Sequence, residues 1–141
     1  MTKKAAAHIQ LDENGEFVRN LKEDLVKVAV VERHQGTGNV ACGFLKGYGI
    51  KEGAVALSVA HDSHNIIVVG VNDEEMEFAV NSLIAQEGGI VLVKEGKVIE
   101  QMPMPIAGLM SDQSGEWVDE KLTSIHEKHI QSLASVEMWN R

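Results

Sequence analysis

Short apolar runs separated by glycine or polar breaks dominate the first two thirds of the chain. Four of them are rich in Val and Ile and favour β-strands at residues 25–31, 41–45, 54–59 and 66–71. Several of these runs are apolar at consecutive positions, which is expected when a strand is covered on both faces. The pattern therefore predicts buried strands that have packing partners on either side.

The spacing of apolar residues becomes helical over residues 73–87. We expect Asn72 to cap this helix and Glu75 to reach back to the cap in a capping box. Gly88 and Gly89 are expected to end it. One face of the helix is apolar and consists of Met76, Ala79, Val80, Leu83 and Ile84.

Turn signals and a second helical pattern complete the framework. Hairpins are predicted for residues 5–10 with 16–18 and for residues 90–93 with 97–102, because each pair flanks an Asn-Gly or Glu-Gly dipeptide. A second helix is predicted for residues 114–134, with an apolar stripe of Val118, Leu122, Ile125 and Leu133. The prediction is one α+β domain over residues 1–141, with a mixed, mostly antiparallel sheet and two main helices packed on it.

Composition narrows the class of protein. A length of 141 residues suits one domain, and a net charge of −8 argues against nucleic acid as a partner. The sequence contains a single cysteine, Cys42, which excludes multi-cysteine zinc motifs. The apolar residues around Cys42 predict a buried, inert thiol. The sequence has neither a signal-peptide pattern nor the roughly 20 apolar residues of a membrane helix, so a cytoplasmic protein without a membrane partner is expected.

The first polar cluster interrupts this framework at residues 32–39. Glu32 and His34 are two residues apart, so an extended chain would direct both side chains to one side of the sheet, with Arg33 between them. Gly36 and Gly38 allow a sharp turn or a close approach to a ligand. A dinucleotide-binding loop is excluded because the third glycine and the following helix are missing.

The second polar cluster, residues 60–65, lies between two buried strands. His61, Asp62 and His64 have side chains that can bind Mn, Fe or Zn, and we take them as candidate metal ligands. If packing brings the two clusters together, they would form one small pocket with Glu32 and His34. A polar strand-to-strand turn that binds nothing explains the same residues, and spacing alone does not separate the two interpretations.

Elsewhere the candidate chemistry is sparse. His126 and His129 are three residues apart on the second helix, but a solvated helix face is the preferred interpretation. Met102, Met104 and Met110 flank two prolines and are expected to pack against the core.

Long stretches of the sequence resemble the C-terminal domain of the bacterial adenine deaminases. The similar stretches are residues 30–39, 43–54, 59–70, 72–73 and 103–112, which together span roughly residues 25–125, whereas residues 1–24 are a looser match. They contain both polar clusters. The resemblance implies an accessory domain of an enzyme that converts adenine and water to hypoxanthine and ammonia.

In this family the chemistry belongs to a metal-dependent (β/α)₈ barrel of the amidohydrolase superfamily. Such a barrel needs roughly 250 residues and is therefore absent from this chain. The resemblance implies Mn or Fe in the full enzyme, the barrel domain as partner and a homo-oligomer. It also implies a substrate-facing or interface surface, with candidate residues Glu32, Arg33, His34, Asn39, Asn65 and Asp112.

Two other functions remain open at the level of sequence. In the first, the chain is a free-standing module that binds a purine or a metal ion. In the second, it is a small metal-dependent hydrolase. The first requires a preformed pocket in the isolated chain, and the second requires a complete ligand set with an open coordination position.

Overall fold

The computed structural model describes residues 3–20 and 22–133. Within them, a six-stranded antiparallel sheet has the order β4-β3-β6-β5-β7-β8. A separate two-stranded hairpin consists of β1 (Gln10–Leu11) and β2 (Phe17–Val18). The strands of the large sheet are β3 (Leu25–Val31), β4 (Val40–Lys46), β5 (Ala54–Leu57), β6 (Ile66–Gly70), β7 (Gly89–Lys94) and β8 (Lys97–Pro103).

Two helices cover opposite faces of this sheet. Helix α1 (Asp73–Ala85) packs on β5, β6 and β7, and helix α2 (Gly115–Lys128) continues into a π-helical turn (His129–Leu133) on the other face. The α+β prediction is confirmed, and the large sheet is antiparallel throughout the described residues.

Consecutive apolar residues in the central strands serve the two faces alternately. In β5, Ala54 and Ala56 pack with Met76 and Leu83 under α1, whereas Val55 joins Leu133 on the α2 face. Strands β6 and β7 divide their side chains in the same way. This arrangement explains why these strands lack an apolar-polar alternation.

The first helix begins as predicted but ends differently. Asn72 Oδ1 accepts a hydrogen bond from Glu75 N at 2.8 Å, which is the expected N-cap. The predicted capping box is wrong, because the Glu75 carboxylate accepts a hydrogen bond from Gly96 N instead. At the other end, Glu87 adopts the left-handed conformation that Gly88 was expected to supply.

A Schellman motif closes α1 around Glu87. The Glu87 amide donates to Ile84 O, and the Gly88 amide donates to Leu83 O, both at 3.0 Å. Gly88 and Gly89 are instead required for close packing, since a Cβ on Gly88 would collide with Gly108 and one on Gly89 with the backbone of Met102.

Four further predictions need correction. The first hairpin is shorter than expected, with residues 5–9 outside its strands. Cys42 is exposed, because β4 lies at the edge of the sheet. Leu122 and Met110 are also exposed, so neither contributes to the core. The predicted end of the second helix at residue 134 lies outside the described residues.

No helix among the described residues is both long enough and apolar enough to cross a bilayer.

Candidate functional site

Three loops meet at one end of the large sheet and contain all the predicted site residues. Loop L1 (residues 32–39) joins β3 to β4, loop L2 (residues 58–65) joins β5 to β6, and loop L3 (residues 104–114) joins β8 to α2. Neighbouring strands are antiparallel, and their registers pair Val31 with Ile66 and Gly89 with Pro103. These connections therefore lie at the same end of the sheet. We call this region the three-loop end.

Glu32 holds L1 in its conformation. Its carboxylate accepts hydrogen bonds from the backbone amides of His34, Gln35 and Thr37 and from the Thr37 hydroxyl. The backbone hydrogen bonds from Thr37 and Gln35 are the main reason that the pKa of Glu32 is lowered to about 2. All four donors belong to L1 itself, so this carboxylate organises the loop.

His34 joins L1 to L2. Its Nε2 atom lies 2.8 Å from the backbone oxygen of Ser63. Because a carbonyl oxygen can only accept, Nε2 must carry the hydrogen in this contact, which leaves Nδ1 as an acceptor in the neutral ring. The two polar clusters are therefore in contact through His34 and Ser63, while a shared pocket with His61, Asp62 and His64 stays a prediction.

Arg33 joins L1 to L3. Its Nη2 atom donates to the backbone oxygen of Ala107, and its guanidinium packs against Gly108 so closely that a Cβ on that glycine would collide with it. Gly108 also has a φ of +72°, which a side chain would make costly. Arg33 therefore fixes the position of L3 relative to the two hairpin loops.

Ser58 is a buried connection that the sequence did not indicate. Its hydroxyl donates to the backbone oxygen of Gly108 and accepts from the Gly89 amide at 2.8 Å. These bonds tie the end of β5 to the start of β7 and to L3. A single serine after an apolar strand carries no signal for such a role.

Loop L2 is a turn in which two residues have left-handed backbone conformations, Asp62 and His64. The His64 amide donates to the Ala60 carbonyl at 2.7 Å, so the backbone itself closes the turn. His61 and Asp62 are exposed, whereas His64 Nδ1 and Asn65 Oδ1 are buried without a hydrogen-bond partner.

The remaining candidates have local roles. Asn39 closes L1 through its backbone oxygen, which accepts from the Glu32 amide at 3.0 Å. Asp112 accepts a hydrogen bond from the neighbouring Gln113 side chain and is exposed. Asp112 therefore shares the three-loop end with the other residues, but its side-chain hydrogen bond stays within L3.

A cleft of about 540 Å³ lies between L1 and the C-terminal end of α1. Its wall combines polar side chains with apolar ones, namely Arg33, His34, Ser58, Glu87, Ile66 and Leu83. Polar atoms beside apolar surface are typical of clefts that bind small molecules.

The described residues do not form a complete metal site. No three His, Cys, Asp or Glu side chains within 3–20 and 22–133 are placed to hold one metal ion together. Glu32 is fully used by its own loop, and His34 Nε2 by Ser63. Metal binding by His61, Asp62 and His64 thus stays a prediction that would require further ligands from another chain segment.

Known proteins similar to this chain are adenine deaminases. Residues 1–140 match the family model described as the adenine deaminase C-terminal domain. Adenine deaminase 2 of Desulfotalea psychrophila is 66% identical over 128 residues, which cover 91% of this chain and 22% of that protein. The adenine deaminase of Bacillus subtilis is 49% identical over 113 residues, which cover 80% of this chain and 20% of that protein.

The matched region is only one part of those proteins. The adenine deaminase of Ligilactobacillus salivarius is 55% identical over 108 residues, or 77% of this chain and 19% of that protein. This chain thus spans about a fifth of the length of these curated relatives. The match over nearly the whole chain, with the loops of the three-loop end inside it, means that the chain belongs to the adenine deaminase C-terminal domain family.

Proposed function

We propose that this chain is the accessory domain of an adenine deaminase, a hydrolase of purine catabolism that converts adenine and water to hypoxanthine and ammonia. The observation that carries the proposal is the family match over residues 1–140 in a chain that spans about a fifth of its relatives. The deamination and its metal, Mn or Fe, then belong to the portion that this chain does not include, a (β/α)₈ barrel by resemblance.

The three-loop end is the surface that we assign to this role. Arg33, His34 and Ser58 lock the three loops together, so that the exposed side chains of His61 and Asp62 are carried on a fixed framework. A pre-organised surface of this kind suits a domain that covers the mouth of a catalytic barrel. Asn39, Asn65 and Asp112 lie on the same loops and would contact substrate or the barrel.

The cellular setting follows the same proposal. The enzyme would act in the cytoplasm, where free purine bases are turned over, and would assemble as a homo-oligomer.

The test compares three proteins in an adenine deamination assay with added Mn(II) or Fe(II). They are this chain alone, the Desulfotalea psychrophila enzyme without its C-terminal domain, and a chimera in which this chain replaces that domain. The 66% identity makes the exchange conservative. We expect activity in the chimera, a large loss in the truncated enzyme and no activity in the isolated chain.

Substitutions in the chimera then examine the three-loop end. His61→Ala with Asp62→Ala should lower kcat/KM by roughly tenfold or more if these side chains orient substrate or metal ligands. His8→Ala, an exposed histidine outside the three-loop end, is the matched control. Deamination by the isolated chain would contradict the proposal and make L2 part of a catalytic site.

A further inference from the structure

Strand β4 is an open edge of the large sheet. Its neighbour on one side is β3, and the described residues provide no strand on the other side. Five of its seven residues are exposed, and Lys46 at its end is its only charged residue. Proteins usually protect such an edge with charges, proline or a bulge, because a long apolar edge readily pairs with another strand. Strand β4 contains no proline, and its single charge lies at its last residue.

The register identifies which amides of β4 are available for pairing. Glu32 N donates to Asn39 O, and Gly47 N donates to Asp24 O, so these flanking pairs are hydrogen-bonded across the β3–β4 ladder. Hydrogen-bonded and non-hydrogen-bonded pairs alternate in an antiparallel ladder. Counting from either end, the amides that face away from β3 are those of Val40, Cys42, Phe44 and Lys46.

An apolar groove follows the same strand. Helix α1 covers β5, β6 and β7, and beside it lies a groove of about 280 Å³ whose surface is mainly apolar, with Lys27, Asp73, Glu77 and Asn81 also in its lining. The apolar residues in the lining are Ala29, Val31, Val40, Cys42, Val68, Met76 and Val80. Val40 is 55% exposed there. An added strand on β4 would place its own side chains next to this groove.

The N-terminal arm lies against the other end of β4. A cavity of about 900 Å³ is lined by arm residues from Lys3 to Ile9 on one side and by Phe44 and Tyr48 on the other. The ring of Phe17, in the following hairpin, lies 4.9 Å from that of Phe44. In a C-terminal domain, the preceding part of the enzyme is joined through this arm, so it emerges beside β4 at high effective concentration.

We propose that the open edge of β4 binds an extended apolar segment of the catalytic portion that precedes this domain in adenine deaminase. The segment adds a strand to the sheet, with backbone hydrogen bonds from the four outward amides and an apolar side chain in the adjacent groove. This inference rests on the proposed function and names the surface through which the domain is attached.

Amide hydrogen–deuterium exchange tests this attachment residue by residue. It is measured on the isolated chain and on the chimera with the Desulfotalea psychrophila enzyme. We expect the amides of Val40, Cys42, Phe44 and Lys46 to exchange at least about tenfold more slowly in the chimera, because hydrogen bonding protects an amide until the structure opens. The inward amides of Ala41 and Gly43 serve as internal references, since β3 already pairs with them.

A charged substitution in β4 provides a second, independent test of the docking surface. Val40→Asp should abolish the added protection and lower the melting temperature of the chimera, because a carboxylate would lie in the covered groove beside Asp73 and Glu77. Val98→Asp is the matched control, since Val98 lies on β8 at the opposite edge and is also exposed. Equal effects of the two substitutions would overturn the proposal.

The outcomes separate this inference from the function on which it rests. An active chimera whose outward amides exchange as fast as in the isolated chain would overturn the docking surface and leave the accessory role intact. Protected amides in an inactive chimera would support the docking surface and contradict the accessory role. Protection that grows with the concentration of the isolated chain would assign the edge to a second copy and also overturn the proposal. If the chimera does not fold, the aligned strand of the native Desulfotalea psychrophila enzyme is compared with its isolated domain.

Discussion

At the scale of single residues, Glu32 shows how a candidate ligand can be a structural group. A carboxylate next to a histidine on a glycine-containing loop suggests chemistry, yet this one accepts four hydrogen bonds from its own loop. Its negative charge is balanced by backbone amides, so it has little remaining capacity for a metal or a substrate. Its contribution to a site is the shape of L1.

The protonation of Glu32 should therefore control the order of L1. The pKa is about 2 in the folded chain and ordinarily 4.5, so the stabilisation is complete above pH 4.5 and is lost as the pH falls towards 2. In NMR titrations, we expect the amide signals of Gln35 and Thr37 to shift with a midpoint near 2. Glu32→Gln should remove this transition, and a midpoint near 4.5 would contradict the assignment.

The same residues show how far the sequence predicts the site. The sequence left open whether the two polar clusters meet, and the structure joins them through His34 and the backbone of L2. Ser58 and Gly108 were missed as partners since they are 50 residues apart and their hydrogen bond depends on the sheet order. The hydrogen bonds of Glu32 were also missed, because they require the conformation of the loop.

At the scale of elements, Glu100 attaches α2 to the sheet. This β8 carboxylate is 10% exposed and lies 2.7 Å from Lys121 Nζ and 3.1 Å from Lys128 Nζ, and it accepts a hydrogen bond from the Ser124 hydroxyl. Burial alone would raise its pKa, but the hydrogen bonds from Lys121, Ser124 and the Gln101 amide outweigh that effect and lower it to about 2. One strand residue thus contacts two turns of the helix.

Neutralising this carboxylate should loosen the attachment of α2. Glu100→Gln keeps the size of the side chain but leaves Lys121 without its counter-ion, so we expect the free energy of unfolding to fall by about 1–3 kcal/mol. Urea denaturation followed by circular dichroism measures the change. Glu127→Gln, an exposed residue on the same helix, should change it by less than about 0.5 kcal/mol. Similar losses in both variants would contradict the role of Glu100.

The sequence predicted the boundaries of strands and helices where short-range interactions set them. The strand at Leu25–Val31 and the cap at Asn72 were predicted correctly, because apolar runs and capping side chains act within a few residues. The exposure of Cys42 was not predicted, because the position of β4 at the edge of the sheet depends on the order of the strands. Likewise, Glu87 and not Gly88 has the left-handed conformation of the Schellman motif, and Gly88 is required by its close packing against L3, which local sequence does not reveal.

At the scale of the whole molecule, one sheet serves two helical layers and also holds the three-loop end. Alternate residues of β5, β6 and β7 pack under α1 and under α2, so the two core clusters are separate but are built on the same strands. Ser58 lies where the end of β5, the start of β7 and L3 meet. A defect at this point is therefore expected to weaken both layers together.

Ser58→Ala tests this cooperativity. The substitution leaves the buried Gly89 amide and the Gly108 carbonyl without the hydroxyl, which should lower the free energy of unfolding by about 1–3 kcal/mol. Far-UV circular dichroism reports the whole fold, and in a Trp139→Phe background the fluorescence of Trp117 reports the α2 face. Both urea midpoints should fall by the same amount, because the sheet is common to both layers. Ser63→Ala, in the exposed part of L2, is the control and should leave both urea midpoints nearly unchanged. Separate midpoints for the two signals in Ser58→Ala would mean that the layers unfold independently.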